Sequence, residues 1–306
     1  MKILVTGGAG FIGSQVADSL IDEGHDVVIA DDLSTGFERN INPKARFLKV
    51  NICDDSLLKI FKSEKFDVVN HHAAQIDVRK SVADPKFDAN TNIIGTLNLL
   101  ENCIKTGVKK FMFASTGGAI YGEQKYFPAD ENHPQSPVSP YGISKLAIEK
   151  YLYYYFIQYR LAFTILRYAN IYGPRQNPFG EAGVVAIFVN KLLNNQQPVI
   201  NGDGRQTRDY VFVQDAVKAN LLILNTTESE IYNVGTGIET SVSQLFSELI
   251  NITGNKMKEK HGPSAPGEQQ RSVISSEKIY KKTRWKPSTS IHDGLKKTVI
   301  YFQDRM

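Results

Sequence analysis

The sequence contains only two cysteines, Cys53 and Cys103, which lie far apart and in no metal-ligand spacing. This scarcity argues against a secreted disulfide framework and is typical of a reducing compartment. Long apolar runs are also missing, because no stretch approaches the roughly 20 residues that span a bilayer. The opening MKILVTGGAGFIGS meets glycines too early for a signal peptide. We therefore expect a cytoplasmic protein with no membrane partner.

Charge of one sign is not in large excess, since 36 Lys and Arg face 32 Asp and Glu for a net charge of +4. Basic residues concentrate in 256–306, but this segment lacks the interleaved aromatics of a nucleic-acid surface, so we expect no nucleic-acid partner. The adjacent His71 and His72 end an expected strand. Neighbours on a strand point to opposite faces, so we expect structural histidines and no metal.

Short β-branched segments alternate with amphipathic segments through the first two hundred residues. The expected strands are ILVT (3–6), DVVIAD (26–31), FLKV (47–50), DVVNHH (67–72), KKFMFAS (109–115) and AFTILRY (162–168). The expected helices are 12–23, 85–106, 144–159 and about 215–224. This alternation is typical of an α/β fold with a Rossmann-type doubly wound parallel sheet, covered by helices on both faces.

After Tyr168 the regular alternation of strand and helix patterns ends, and Gly, Pro and Asn accumulate in NIYGPRQNPFGEAG and NGDGRQTRDYVFV. We expect a sheet domain of residues 1–168 and about 206–228. A smaller C-terminal α/β domain would comprise about 169–205 and 229–306 and bind the substrate.

The first expected strand runs directly into Gly7, Gly10 and Gly13, and a helix follows. One glycine allows a tight turn, one lets a pyrophosphate approach the backbone, and one lets helix and strand pack closely. The second strand ends at Asp31, where a carboxylate accepts ribose hydroxyls and repels a 2′-phosphate. The order of strand, glycines, helix, strand and acid predicts an NAD site.

The segment Tyr141-Gly-Ile-Ser-Lys145 opens an expected helix, on which positions i and i+4 share a face. A nearby ammonium lowers the pKa of a tyrosine from about 10 toward neutrality, so that it can act as a general base. The same spacing occurs at Tyr121 and Lys125, but in a Gly- and Pro-bounded connection where no helix would align them. The hydroxyls of Ser115 and Thr116 end a strand at the sheet edge where α/β ligands bind.

These motifs, together with HHAAQ, NIIGT, STGGAIYG, LRYANIYGPR and RDYVFV, resemble those of the extended short-chain dehydrogenase/reductases. Within that family the chain looks most like the UDP-glucose 4-epimerases, and the resemblance covers essentially the whole sequence. It implies reversible epimerisation at C4 of a UDP-hexose through a 4-keto intermediate with bound NAD. It also implies a homodimer through the helices near 87–105 and 142–159.

The resemblance further implies roles for individual residues. Tyr141 would be the base, Lys145 would hold the nicotinamide ribose, and Thr116, or alternatively Ser115, would position the 4-hydroxyl. The implied cofactor-binding residues are Gly7, Gly10, Phe11, Ile12, Gly13, Asp31, Asp32, Asn51, Ile52, Ala73, Ala74, Gln75, Asn92, Tyr141, Lys145 and Tyr168. The implied substrate-binding residues are Thr116, Gly117, Gly118, Asn170, Val184, Asn201, Arg208 and Arg271.

Departures from the family pattern leave alternatives open. Gly117-Gly118-Ala119 stands where sugar dehydratases and decarboxylases usually carry acids, which favours an epimerase. Where the family commonly shows an arginine before Gly-Asp, the sequence reads Ala265-Pro266-Gly267-Glu268, and Arg271 is the candidate replacement. A small residue, Ser272, stands where size is thought to gate N-acetylated sugars. The alternatives are a UDP-N-acetylhexosamine or UDP-uronate 4-epimerase, a 4,6-dehydratase or decarboxylase, and a non-catalytic NAD-binding protein.

Overall fold

The computed structural model describes residues 1–179, 183–226, 228–264 and 269–305. In chain order, its strands are β1 (Lys2–Thr6), β2 (Asp26–Asp31), β3 (Arg46–Lys49), β4 (Val68–His71), β5 (Lys110–Thr116), β6 (Ala162–Tyr168), β7 (Asn170–Tyr172), β8 (Ile200–Asn201), β9 (Thr207–Arg208), β10 (Tyr210–Phe212), β11 (Glu230–Val234), β12 (Thr240–Ser241), β13 (His261–Gly262) and β14 (Arg271–Ser272).

The helices are α1 (Phe11–Asp22), α2 (Leu57–Glu64), α3 (Val78–Ala83), α4 (Pro85–Ala89), α5 (Gly95–Thr106), α6 (Gly117–Ile120), α7 (Pro140–Tyr159), α8 (Val184–Leu193), α9 (Val213–Leu224), α10 (Val242–Thr253), α11 (Glu277–Thr283) and α12 (Ile291–Gln303). A 3₁₀ turn occupies Glu38–Asn40, and a π-helical turn occupies Asn90–Ile94.

A seven-stranded sheet in the order β11-β6-β5-β4-β1-β2-β3 forms the centre of the molecule, and every neighbouring pair in it is parallel. Parallel neighbours need crossover connections, and the helices of these crossovers cover the two faces of the sheet. The strand order reverses between β1 and β4, where open α/β sheets bind ligands at the carboxyl ends of their strands. The prediction of a Rossmann-type doubly wound sheet is confirmed.

Two apolar clusters hold the helices on the sheet. On one face, Leu57 of α2, Leu99 of α5 and Leu152 of α7 pack with the buried strands. On the other face, the cluster of α1 and α9 continues without interruption into the C-terminal region, where it includes Trp285 and Leu295. This shared core holds the C-terminal elements against the sheet.

The structure differs from the sequence expectations in two places. Residues 230–234 form β11 and pair with β6 at the edge of the large sheet, although the expected division assigned them to the second domain. The expected single helix over 85–106 is divided into α4, the π-helical turn and α5. The departing segment 265–268 lies outside the described residues.

Candidate active site

The glycine segment between β1 and α1 has the geometry that a pyrophosphate requires. Gly7 has a φ of 68°, and a Cβ built on it would lie 2.6 Å from the backbone nitrogen of Ala73. A Cβ on Gly13, in the first turn of α1, would lie 2.3 Å from the Gly7 carbonyl oxygen. Gly10 precedes α1 and provides no side-chain cap. Only glycine fits at these close approaches, and the first N–H groups of α1 can face a phosphate.

Two carboxylates follow at the carboxyl end of β2. Asp31 is largely buried, and its carboxylate accepts hydrogen bonds from the backbone N–H groups of Leu33 at 2.8 Å and Ala9 at 3.0 Å. Burial raises the pKa of Asp31, while these two donors oppose the shift. Asp32 accepts a hydrogen bond from Asn51 Nδ2 at 2.7 Å. The acid expected to contact ribose therefore lies directly against the glycine segment.

The other implied cofactor residues lie around the same edge of the sheet. Asn92 accepts a hydrogen bond from the Gln75 backbone nitrogen and donates to the Gln75 carbonyl oxygen, both at 2.9 Å, and so fixes the segment after β4. Tyr168 ends β6 but is buried, and its hydroxyl accepts a hydrogen bond from Asn220 of α9 at 3.4 Å. Its phenol therefore belongs to the core. The remaining residues are Phe11 and Ile12 in α1, Ile52 after β3, and Ala73 and Ala74 after β4.

Helix α7 carries the candidate base and its lysine. Ser139 caps the helix by accepting a hydrogen bond from Gly142 N, and a proline occupies the first turn, so α7 begins just before Tyr141. The Lys145 Nζ donates to the Ala114 carbonyl oxygen at 2.9 Å and lies 5.8 Å from the centroid of the Tyr141 ring. The helix therefore places an ammonium beside a half-buried phenol at the end of β5.

The charge of Lys145 is maintained against strong burial. Desolvation lowers the pKa of Lys145 to about 8, and the carboxylates of Asp88 and Glu149 oppose this shift. The ammonium is therefore still the main form near neutral pH. It favours the phenolate form of the adjacent Tyr141, which is what a general base needs.

The two hydroxyls at the end of β5 differ in their partners. Ser115 is buried and donates its proton to Glu149 Oε1 at 2.7 Å. Thr116 Oγ1 instead accepts a hydrogen bond from Ala119 N at 3.2 Å and caps α6. An accepting hydroxyl keeps its proton for another partner, so the geometry favours Thr116 over Ser115 as the group that contacts a substrate oxygen.

Three of the implied substrate residues converge beside Thr116. A Cβ on Gly118 would lie 3.8 Å from Thr116 Oγ1 and 3.8 Å from Asn170 Oδ1, so these polar atoms border the same small space. Gly117 is packed more closely, because a Cβ there would lie 2.7 Å from Ile274 Cδ1. The short helix α6 thus brings a hydroxyl and an amide together without adding a side chain between them.

The two arginines implied in diphosphate binding lie on paired strands. In the parallel pair β9–β14, Arg208 is in register with Ser272, and Thr207 is in register with Arg271. Because side chains alternate along a strand, Arg271 shares the face of Thr207. Its guanidinium donates to Glu239 at 2.9 and 3.1 Å. Arg208 therefore shares the face of the small Ser272, whereas the Arg271 guanidinium is engaged by Glu239.

Two further implied residues, Asn201 and Val184, lie on other elements. Asn201 ends β8, which pairs with β13 in a separate two-stranded sheet. Val184 begins α8. Among the described residues, no hydrogen bond joins either of them to Thr116, Asn170 or Arg208.

A buried polar network that the sequence analysis missed lies behind the site. Arg167 of β6 pairs with Glu149 of α7 through Nε at 3.0 Å and Nη2 at 2.5 Å. Its Nη1 donates to the Tyr121 hydroxyl at 2.9 Å, and that hydroxyl donates to Asn233 Oδ1 at 2.7 Å. Tyr121 is therefore structural, as its placement outside a helix predicted. The one available signal was the position of Glu149, one turn after Lys145 on the same helix.

The described residues lack the features of two other kinds of site. Within the ranges described above, no three His, Cys, Asp or Glu side chains are grouped so that they could hold a metal ion. In those ranges, none of the helices combines the length and apolarity needed to cross a membrane.

The chain is similar to known proteins over nearly its whole length. The model of the NAD dependent epimerase/dehydratase family matches residues 3–235. A putative UDP-glucose 4-epimerase from Methanocaldococcus jannaschii is 47% identical over 302 residues, which cover 99% of this chain and 98% of that protein. The crystal structure of a Thermotoga maritima UDP-glucose 4-epimerase with UDP-glucose has a TM-score of 0.98 and 49% identity, covering 100% of this chain and 99% of that chain. The Thermus thermophilus UDP-glucose 4-epimerase in complex with NAD has a TM-score of 0.96 and 40% identity, with both chains fully covered.

Proposed function

The chain belongs to the NAD dependent epimerase/dehydratase family, and we propose that it reversibly epimerises C4 of a UDP-hexose, interconverting UDP-glucose and UDP-galactose. The observation that carries this proposal is the convergence at the end of β5. There the Tyr141–Lys145 pair of α7 lies by the strand that ends in Thr116, and Thr116 borders the same space as Asn170. This set contains a base, its tuning cation and polar groups for a sugar.

The residues between β1 and α1, together with Asp31, fit the phosphates and ribose of NAD. The Gly7 and Gly13 positions leave no room for a Cβ, and the start of α1 offers backbone N–H groups to a pyrophosphate. Asp31 lies against that segment and suits the ribose hydroxyls of NAD rather than a 2′-phosphate. When bound, NAD supplies a group that accepts a hydride from C4 of the sugar and returns it.

The protein's own groups then perform the proton chemistry. Tyr141 takes the proton of the 4-hydroxyl and returns it after the 4-keto sugar has turned over. Lys145 stabilises the phenolate, and the Thr116 hydroxyl donates a hydrogen bond to the same sugar oxygen. Arg208 holds the diphosphate with charge-assisted hydrogen bonds, so the ketone stays tethered while its face is exchanged.

The residues next to Thr116 favour epimerisation over the dehydration and decarboxylation reactions of related enzymes. A 4,6-dehydratase or decarboxylase needs an acid and a base beside the reacting carbons, but α6 presents Gly117, Gly118 and Ala119 there. Ser272 is small and in register with Arg208, so a UDP-N-acetylhexosamine remains a second candidate substrate. A UDP-uronate is a third, and a non-catalytic NAD-binding protein is the remaining alternative.

A coupled assay tests the proposal. The purified protein is given UDP-galactose without added NAD, and the appearance of UDP-glucose is followed. We expect many turnovers per enzyme, because an epimerase regenerates its cofactor in each cycle. Product that forms only in proportion to added NAD(H) would contradict epimerisation. Turnover with a UDP-N-acetylhexosamine but not with UDP-galactose would move the assignment to the second candidate.

We propose that two copies associate through α7 and the segment of α4 to α5. Large apolar side chains are exposed on α7 at Tyr153, Tyr154 and Ile157, and on the other segment at Phe87 and Ile94. Exposed large apolar side chains on neighbouring elements are typical of a protein interface. Sedimentation should give twice the chain mass, whereas a monomeric mass at micromolar concentration would contradict the proposal.

We also propose a cytoplasmic location and a division into an NAD-binding and a nucleotide-sugar-binding domain. The cysteines Cys53 and Cys103 are both free thiols, which suits a reducing compartment. The first domain would include β11 in addition to residues 1–168 and about 206–228, because β11 completes the large sheet. Cell fractionation tests the location, and limited proteolysis with and without bound ligands tests the division.

A further inference from the structure

Asp88 of α4 is a fully buried carboxylate between the two halves of the site. Its Oδ1 accepts hydrogen bonds from Gln75 Nε2 and Asn92 Nδ2, both at 3.0 Å, and its Oδ2 accepts one from Ser144 Oγ at 2.6 Å. These donors are all neutral. In the part of the chain that the structure describes, no ion pair within 4.0 Å joins Asp88 to a basic group. Burying a charge among neutral donors alone is costly, and a nearby charge of opposite sign reduces that cost.

Lys145 is a buried group of opposite charge. It follows Ser144 on α7 and is 4% exposed, and its ammonium donates to one carbonyl oxygen, that of Ala114. The other nearby carboxylate, Glu149, is already paired with Arg167. Asp88 and Lys145 are therefore two buried charges of opposite sign on neighbouring elements, each without a direct ion pair among the described residues.

We propose that Asp88 is a positioning residue of this site: its carboxylate is the buried counter-charge of Lys145, and it fixes helix α7 to the cofactor segment around Gln75. The second part follows from the hydrogen bonds, because Gln75, Asn92 and Ser144 all donate to the same carboxylate. The effect of Asp88 on catalysis rests on the proposed roles of Tyr141 and Lys145. Its role in fixing α7 to the segment around Gln75 is independent of those roles.

The groups that face Lys145 define the expected pH dependence. Asp88 approaches from α4 and Glu149 from α7, and both carboxylates favour the charged amine. His71 at the end of β4 and the following His72 are the basic side chains that interact electrostatically with Lys145. Burial, with a smaller effect of Lys145, lowers the pKa of His72 to about 3 and that of His71 well below its ordinary value, so neither is charged near neutral pH. Removing the Asp88 charge should therefore lower the pKa of Lys145 below about 8.

A double-mutant cycle in thermal unfolding tests the counter-charge directly and needs no turnover. Asp88→Asn keeps the shape but leaves the Lys145 ammonium unbalanced, and Lys145→Met leaves the Asp88 carboxylate unbalanced. The double variant removes both charges, so we expect it to unfold at a higher temperature than either single variant. Because Asp88→Asn also loses an acceptor for the Gln75, Asn92 or Ser144 donors, the quantity compared is the effect of Lys145→Met in the two backgrounds, and it should be smaller in Asp88→Asn than in the wild type. Additive losses would overturn the counter-charge.

The pH profile tests the consequence for the reaction. In Asp88→Asn, the alkaline limb of kcat and of the NAD dissociation constant should move to lower pH, because loss of a nearby negative charge makes the Lys145 ammonium easier to deprotonate. Asp84→Asn is the matched control, since Asp84 is an exposed cap of the same helix and asparagine caps equally well. It should keep the wild-type profile. An inactive wild type would refute the epimerase proposal alone, whereas an active wild type with an unchanged Asp88→Asn profile would refute this inference.

Discussion

The two Tyr-x-x-x-Lys segments allow a paired prediction, in which Tyr121→Phe lowers stability and Tyr141→Phe lowers activity. The Tyr121 hydroxyl is fully buried, donates to Asn233 Oδ1 at 2.7 Å and accepts from Arg167 Nη1 at 2.9 Å. Losing the neutral hydrogen bond costs about 1 kcal/mol, and losing the bond to the charged arginine costs about 1.5–3 kcal/mol. We therefore expect Tyr121→Phe to reduce the free energy of unfolding by about 2.5–4 kcal/mol.

Tyr141→Phe should lower the reaction rate and leave the stability nearly unchanged. Removal of a general base lowers the rate by at least about 100-fold, which corresponds to about 2.7 kcal/mol of transition-state stabilisation. The side chain is only half-buried, so the free energy of unfolding should fall by no more than the ~1 kcal/mol of a typical hydrogen bond.

Urea unfolding followed by circular dichroism, together with the coupled UDP-galactose assay, measures both quantities on each variant. Activity is measured well below the unfolding transition, so that a loss of folded protein is not mistaken for a loss of rate. Tyr280→Phe, at an exposed position on α11, is the control and should change neither quantity. The reasoning is refuted if Tyr121→Phe loses rate at full stability, or if Tyr141→Phe keeps near-normal activity.

Three further variants test the ligand contacts. Gly13→Ala places a Cβ 2.3 Å from the Gly7 carbonyl oxygen, so the purified variant should carry no NAD by mass spectrometry; a full complement would contradict the fit. Asp31→Ser should reduce the preference for NAD over NADP at least about tenfold in calorimetry, because the carboxylate repels a 2′-phosphate, and an unchanged ratio would remove the acid from the ribose site. Arg208→Ala should raise KM for UDP-galactose by about 10- to 100-fold, as loss of a charge-assisted hydrogen bond predicts, and Arg271→Ala by less; equal effects would place both arginines on the diphosphate.

The elements of the fold that a short stretch of sequence specifies could be predicted. Alternating apolar segments gave six of the strands of the large sheet within one or two residues, because β-branched runs and glycine-containing turns mark strands along the chain. The strand β11 was missed because its partner, β6, lies more than sixty residues earlier, and periodicity does not specify which sheet a strand joins. The π-helical turn was missed for a related reason, since one extra residue in a turn hardly changes the apolar pattern over 85–106.

The same distinction applies to the site. The glycine segment and the Tyr141–Lys145 pair depend on short spacings, and the structure has the turn, the close approaches and the helix that these spacings predict. The preference for Thr116 over Ser115 depends on Glu149, which is 34 residues away. Asp88 was missed because its donors come from three different elements, and no spacing in the sequence joins them.

The two Tyr-x-x-x-Lys segments show why a spacing alone does not define a base. Around Tyr121, the hydroxyl is enclosed and the lysine, Lys125, is exposed. Desolvation raises the pKa of Tyr121 to about 12 even though the adjacent Arg167 lowers it, so this phenol keeps its proton at neutral pH. Around Tyr141 the burial is reversed: the phenol is half-buried and can meet a substrate, while Lys145 is enclosed, where its charge acts through a low dielectric. A tyrosine base therefore requires an accessible phenol with a buried cation beside it, and in this chain that arrangement depends on the carboxylates of Asp88 and Glu149 that keep the buried amine charged.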